Sequence, residues 1–260
     1  MENNFFQKKT ILITGGLGFL GKSLASRFAS KGSNIVLIDK AIDEENFTDE
    51  LSDKYGVEIN LLRHDFLDKE SFKEIKNYFT KNSKGLDFIV NNAAFYDSIP
   101  GWGVNFEEET YEAWLAVLKV NLLTPFFLTQ TMQDILKKSS CPAIVNVSSI
   151  YGLIAPDRNL YEGTEMTNPA VYAASKGGLI QLTKWLSSYL CPEIRVNSVS
   201  PGGIERGQNK LFKERYEKKT LLGKMAIEED ISGVIEFLLS SDSSYMTGQN
   251  LIVDAGYTIT

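Results

Sequence analysis

The stretch TILITGGLGFLG (10–21) joins a short β-branched run to four glycines and then to a segment of helical spacing, 17–31. That order predicts a strand, a tight turn and a helix. Glycine permits positive φ, lets backbone N–H groups come close to a ligand, and allows a helix to pack tightly on a strand. At a helix amino end those N–H groups and the helix dipole favour negative charge, so the loop predicts a phosphate-bearing ligand. Taken alone, the glycines fit a ligand-free tight turn as well, and the bulky Phe19 is out of place among them.

Working outward, six more apolar runs follow: NIVLID (34–39), EINLLR (58–63), DFIVNN (87–92), AIVNVS (143–148), RVNSVS (195–200) and NLIVD (250–254). Segments with helical spacing lie between them at 69–81, 107–138 and 171–190, the last with Leu179, Leu182, Leu186 and Leu190 on one face. Strand alternating with helix predicts an α/β fold: a Rossmann-type, doubly wound, parallel seven-stranded sheet with right-handed crossovers. No linker, repeat or low-complexity tract interrupts the chain, so residues 1–260 read as a single domain.

The ligand is sharpened by Asp39, which ends the second run about twenty residues past the glycine loop. A carboxylate there accepts hydrogen bonds from an adenosine ribose diol and repels a 2′-phosphate, so NAD is favoured. Lys40 beside it leaves room for NADP, although the loop itself carries no Lys or Arg. Composition narrows the rest. With 43% hydrophobic and 23% charged residues and no apolar run of membrane length, the chain reads as water-soluble, without a membrane partner. A net charge of −6 argues against a nucleic-acid partner, because gripping phosphates needs clustered cations. Cys141 and Cys191 have no metal-like spacing, the amino terminus lacks a signal-peptide pattern, and no metal site is expected. These features point to the cytoplasm and a small-molecule partner.

In VYAASKGGL (171–179), Tyr172 and Lys176 stand four apart, one helical turn from each other on one face. An ammonium near a phenol stabilises the phenolate and brings it toward the range of a general acid/base. The spacing alone also fits an ordinary surface pair. Gly177 and Gly178, costly in a helix, suggest that another backbone or a ligand lies close.

In order along the chain, TGGLGFLG (14–21), HDFLD (64–68), NNAA (91–94), VNL (120–122), VNVSSIYG (145–152), YAASK (172–176), SPGGI (200–204) and MTGQNLIVDAGY (246–257) resemble the motifs of the single-domain short-chain dehydrogenase/reductase family over essentially the whole chain. The resemblance implies that Tyr172 exchanges a proton with the substrate oxygen and that Lys176 assists it and holds the nicotinamide ribose. It implies that Ser149, chosen over Ser148 by the glycine three residues on, hydrogen-bonds the same oxygen, and that Asn121 positions a water that relays protons to Lys176. Implied cofactor contacts are Gly15, Gly18, Phe19, Leu20, Gly21, Asp39, Asp65, Phe66, Asn92, Ala93, Tyr172, Lys176, Pro201, Gly202 and Ile204. His64, the only histidine, falls at the adenine end, which argues against a Ser–His–Asp hydrolase. A homodimer or homotetramer through the 107–138 and 171–190 helices is also implied.

Two departures stand out. The single-domain branch usually carries TGxxxGxG, with glycine at 19, whereas this loop has the TGxxGxxG form of the sugar-nucleotide branch. An epimerase or dehydratase therefore stays open as an alternative, as does a non-catalytic NAD-binding regulator. Ser149 and Tyr172 are also about ten residues further apart than is usual. The extra polar segment (155–169) is either a surface loop or a lip over the site, with Tyr161, Glu162 and Arg158 available to substrate; Trp102, from 95–106, is expected at the same mouth. A lip favours a polar substrate. SIYG, YEGTEMTNP and the Gly-Gln after SPGGI are similar to short-chain reductases linked to flagellin modification and surface-sugar biosynthesis in bacteria, which suggests a sugar or sugar-phosphate. The Lys- and Glu-rich segment 205–222 corresponds to the family's mobile flap or, read plainly, to a solvated helix pair.

Overall fold

The computed structural model describes residues 5–95 and 105–260. The seven runs form parallel strands β1 (Thr10–Thr14), β2 (Asn34–Asp39), β3 (Ile59–Arg63), β4 (Phe88–Asn91), β5 (Ala143–Val147), β6 (Arg195–Pro201) and β7 (Asn250–Val253). They lie side by side in the order 3-2-1-4-5-6-7. The order reverses between β1 and β4, and at such a switch point the connections leave in opposite directions and open a crevice at the carboxyl ends of the strands.

Among the described residues eight α-helices cover the sheet: α1 (Phe19–Ala29), α2 (Phe47–Tyr55), α3 (Glu70–Lys81), α4 (Tyr111–Leu118), α5 (Thr124–Leu136), α6 (Ala170–Leu190), α7 (Lys210–Lys219) and α8 (Glu228–Leu239). The two-residue alternation of a strand sorts them into layers. Ile11 and Ile13 pack with Leu24 and Phe28 of α1 and with Ile231 and Ile235 of α8. Leu12, between them, faces the opposite layer with Ile75 of α3, Met132 of α5 and Leu186 of α6. Each such fully buried side chain contributes about 1.5–3 kcal/mol. A charge at Leu12 would be left unpaired between these helices.

Three features depart from the sequence expectation. Helices α2 and α8 were not expected; α2 buries only Leu51 and ends at Gly56 with φ of 65°. The helix expected over 107–138 is divided into α4 and α5 by a π-helical turn, Lys119–Leu123. Pro125, in the first turn of α5, has no N–H to give the carbonyl four residues back, that of Asn121. Segment 205–222 is more than a solvated pair, since Phe212 and Tyr216 of α7 are buried. By length and composition Tyr111–Leu136 would fit a membrane span. Here Leu128, Met132 and Leu136 are buried in the core instead.

Candidate active site

A cleft of about 750 Å³ runs along the carboxyl ends of the strands, with Gly15, Asp39, Asn92, Val147 and Pro201 in its wall. Its first half is built from main chain. Gly15 has φ of 64°, and a Cβ there would come within 2.9 Å of the Ala93 Cα. The Thr14 hydroxyl accepts from the N–H groups of Asn92 and Ala93, both at 3.0 Å, and the Asn92 amide donates back to the carbonyls of Thr14 and Gly15. Asp39 accepts from Leu17 N and Ala41 N, each at 3.0 Å, so one carboxylate pins the glycine loop and faces the cleft. Helix α1 begins at Gly18 with no side-chain cap and no acid in its first turn. Its first N–H groups are left for an outside acceptor. A cradle with no room for a Cβ, an uncapped helix amino end and a carboxylate about twenty residues on fit a dinucleotide.

Gly18, Phe19, Leu20, Asp65, Phe66, Ala93, Gly202 and Ile204 also line this cleft. Gly21 does not. A Cβ at Gly21 would sit 2.1 Å from the Gly15 carbonyl oxygen, so this glycine serves the packing of α1 on the loop. The Phe19 ring stands at the rim, 65% exposed, and leaves the cleft open. The Arg206 guanidinium lies 5.1 Å from its centroid and is held by Glu228 at 3.0 Å.

The second half is organised around Lys176, which is 2% exposed. Its Nζ donates to the Val147 carbonyl at 2.8 Å and lies 5.6 Å from the centroid of the Tyr172 ring. Burial lowers the Lys176 pKa to about 8, because the charged form loses its water. Ser148 spends its hydroxyl hydrogen on the Lys176 carbonyl at 2.8 Å. Ser149, by contrast, accepts from Tyr151 N at 3.2 Å and keeps its own hydrogen to donate. Both serines, Tyr172 and Lys176 border the cleft. The cost of glycine at 152 and 177 is explained by a backbone: a Cβ on Gly152 would lie 2.7 Å from the carbonyl carbon of Lys176.

A buried polar chain fixes α6 against the sheet. Asn91 Nδ2 donates to Asn146 Oδ1 at 2.8 Å, and Asn146 Nδ2 donates to Thr183 at 2.9 Å. Asn121, in the π-helical turn, accepts from Phe95 N at 2.8 Å and donates to the Ser175 hydroxyl at 3.2 Å. Its side chain therefore clasps two neighbouring segments and stays out of the cleft wall.

Beyond Ser149 the wall is aromatic. The Tyr151 and Tyr161 hydroxyls share a hydrogen bond of 2.7 Å, and Tyr161 packs on Phe212 at 5.4 Å. Segment 155–169 thus forms part of the cleft through Tyr161, Met166, Thr167 and Asn168. Glu162 and Arg158 do not reach it. Arg158 opens a short helical turn, Arg158–Leu160, and Glu162 precedes Gly163, whose φ is 72°; Arg215 binds the carbonyls of Leu160 and Glu162, and the side chains of Arg158 and Glu162 are exposed. Trp102 lies outside the described residues. Asn168, Arg206, Phe212 and Tyr216 also line the cleft but carry no motif of their own; their one signal in the sequence is membership of the two segments expected at the mouth.

Residues 19–258 match the family model described as enoyl-(acyl carrier protein) reductase. The chain is 34% identical over 257 residues to the post-translational flagellin modification protein A of Campylobacter coli, covering 96% of this chain and 98% of that one. Among solved structures it is similar to a short-chain dehydrogenase from Leptospira borgpetersenii with bound NAD+, at 34% identity and a TM-score of 0.85, covering 98% and 95% of the two chains. A second is the NADPH-dependent 3-quinuclidinone reductase of Rhodotorula rubra, at 26% identity and a TM-score of 0.85, covering 99% and 95%. The chain belongs to the short-chain dehydrogenase/reductase family. Within that class it is an NAD(P)-dependent oxidoreductase acting on a CH–OH group.

Proposed function

We propose that this enzyme uses NAD and interconverts a polar secondary alcohol and its ketone, the substrate being a sugar or sugar-phosphate in surface-glycan biosynthesis. The observation that carries the reading is the buried Lys176 behind Tyr172, in the same cleft as the Ser149 hydroxyl and the glycine cradle. NAD, when bound, supplies the hydride acceptor, or in its reduced form the donor. Tyr172, as phenolate, takes the proton from the alcohol oxygen, and in reduction the phenol returns it to the carbonyl oxygen. Ser149 donates a hydrogen bond to that oxygen where negative charge develops. The Lys176 ammonium holds the phenolate form of Tyr172 and uses its remaining donors on the nicotinamide ribose. Asn121 keeps its helix turn in place so that a water at its backbone can pass protons to Lys176.

The preference for NAD rests on Asp39, whose remaining lone pairs suit a ribose diol and whose charge opposes a 2′-phosphate. Asp65 and Phe66 would hold the adenine, and Pro201, Gly202 and Ile204 the nicotinamide. Surface-glycan work is supported by the likeness to the flagellin modification protein. A homodimer or homotetramer is supported by the exposed face on which Trp185 stacks on Tyr189 at 5.2 Å beside Phe126. The free thiols of Cys141 and Cys191 suit the cytoplasm. Calorimetric titration with each nucleotide tests the cofactor, and NAD is expected to bind at least tenfold more tightly than NADP. A tighter NADP isotherm would overturn the role given to Asp39. A screen of sugars and sugar phosphates, followed at the nicotinamide absorbance, tests the substrate class.

A further inference from the structure

Asn168 stands four residues before Tyr172 and lines the same cleft. Both atoms of its amide are buried, and neither makes a hydrogen bond. Exchanging the amide's nitrogen and oxygen changes nothing, since both positions lack a partner. The Asn168 amide lies within reach of the Tyr161 hydroxyl and favours its ionised form, but not in hydrogen-bonding geometry, and that hydroxyl is bonded to Tyr151 instead. A buried amide left in this state destabilises the fold, because each group has given up water and gained no partner. A cost of that kind at a cleft wall is offset when a ligand supplies the missing partners.

The neighbours limit what the ligand can be. Among the described residues, the basic side chains in the cleft wall are Lys40 and His64 beside Asp39 and Asp65, Lys176 behind Tyr172, and Arg206 over Phe19. Among the described residues, the wall around Asn168 includes Tyr151, Tyr161, Met166, Thr167 and Phe212, none of them charged. A phosphate or carboxylate would meet no cation here, whereas a hydroxyl both donates and accepts, as a carboxamide requires. We propose that the Asn168 side chain binds a second, uncharged hydroxyl of the substrate, making it the residue that selects a polyol over a simple alcohol. This rests on the oxidoreductase reading above and narrows it to substrates neutral at that end.

The test uses NAD with cyclohexanol and with 1,2-, 1,3- and 1,4-cyclohexanediol, on the wild type, Asn168→Leu and Asn168→Asp. At least one diol is expected to exceed cyclohexanol in kcat/KM by about tenfold or more, the scale of one hydrogen-bonded pair. Asn168→Leu should raise KM for that diol about 10- to 100-fold, at least tenfold beyond its effect on cyclohexanol. Without added nucleotide the same variant should raise Tm by about 2–4 °C, because an unpaired amide has been removed. A structural role predicts the reverse, and a lowered Tm for Asn168→Leu would overturn the inference. So would a wild type that oxidises all four alcohols alike, or a leucine variant that keeps the diol preference; Asn168→Asp, which still accepts from a hydroxyl, should keep part of that preference, and its complete loss there would also count against the inference. No change in nicotinamide absorbance with these alcohols, with NADH and the matching ketones, or with the sugars and sugar phosphates of the substrate screen would sink the polar-alcohol reading itself, and this proposal with it.

Discussion

The two ends of the cleft are built from different material. At β1, β2 and β4 the wall is main chain and small residues, tied by Thr14, Asn92 and Asp39. Beyond Ser149 it is side chains, largely rings, brought from 150–168 and α7: Phe212 lies 5.8 Å from Tyr216, which is backed from outside the wall by Tyr257, stacked on it at 4.8 Å. A cradle of backbone suits a phosphate common to every dinucleotide and leaves no room for a Cβ at Gly15 or Gly21. A wall of side chains can be rebuilt for a new substrate without disturbing the cradle. The rings also separate the tyrosines by role. Burial pushes Tyr151 far up and Tyr216 up to about 12, which keeps both phenols neutral, whereas Tyr172 has a lysine ammonium beside its ring.

If the two ends are independent in this way, a change at one should leave the other intact. The largest effect is expected from Tyr172→Phe, which should lower kcat by about 10²–10⁴ while NAD binds within about threefold of the wild type by calorimetry. Retained turnover would refute the assignment of Tyr172. Next, Gly21→Val places carbon atoms on the Gly15 carbonyl, where a Cβ already has only 2.1 Å. NAD affinity should fall at least tenfold and Tm by several degrees, while the fluorescence of the aromatic end stays native-like; unaltered affinity would show that the cradle yields more easily than its geometry implies.

The smallest effect lies at the junction. Lys176 titrates at about 8 in the folded chain against an ordinary 10.5, so at pH values between these the unfolded chain holds more protons. Stability should therefore rise as pH increases from about 8 toward 10.5. Lys176→Met should abolish that rise and unfold at a higher temperature near pH 7, as thermal melts across pH 7–10 would reveal. A variant that melts lower at every pH would mean that the bond from Lys176 to Val147 outweighs the cost of burying the charge.

Much of the first half was legible because its determinants are local. TILIT, the glycines and Asp39 fall within 30 residues, and each reports a backbone demand that only certain residue types meet. Tyr172 and Lys176 were legible for the same reason, one helical turn being a fixed distance. Gly177 in a helix signals a close neighbour, and the neighbour is the backbone of Gly152. Glu162 was misplaced because a turn reverses the chain there and sends its side chain outward. Helix α8 went unassigned although Ile231, Ile235, Leu238 and Leu239 recur at helical spacing.

By itself, then, the sequence determined the parallel α/β sheet, the glycine cradle with its acidic partner, and the Tyr–Lys pair. Each depends on periodicity or on spacing along one element, and neither changes when distant parts move. Tertiary structure supplied the reason that Ser149, the serine implied by the motif, keeps a free hydroxyl, and alone decided where Phe19 and Arg206 meet and that Asn168 carries an unpaired amide into the cleft wall. Those outcomes depend on which partners remain once segments tens of residues apart have packed and used up their hydrogen bonds. In TGGLGFLG the glycines are set by the backbone they must form; the place of the phenylalanine is set by an arginine 187 positions away, residue 206 against residue 19.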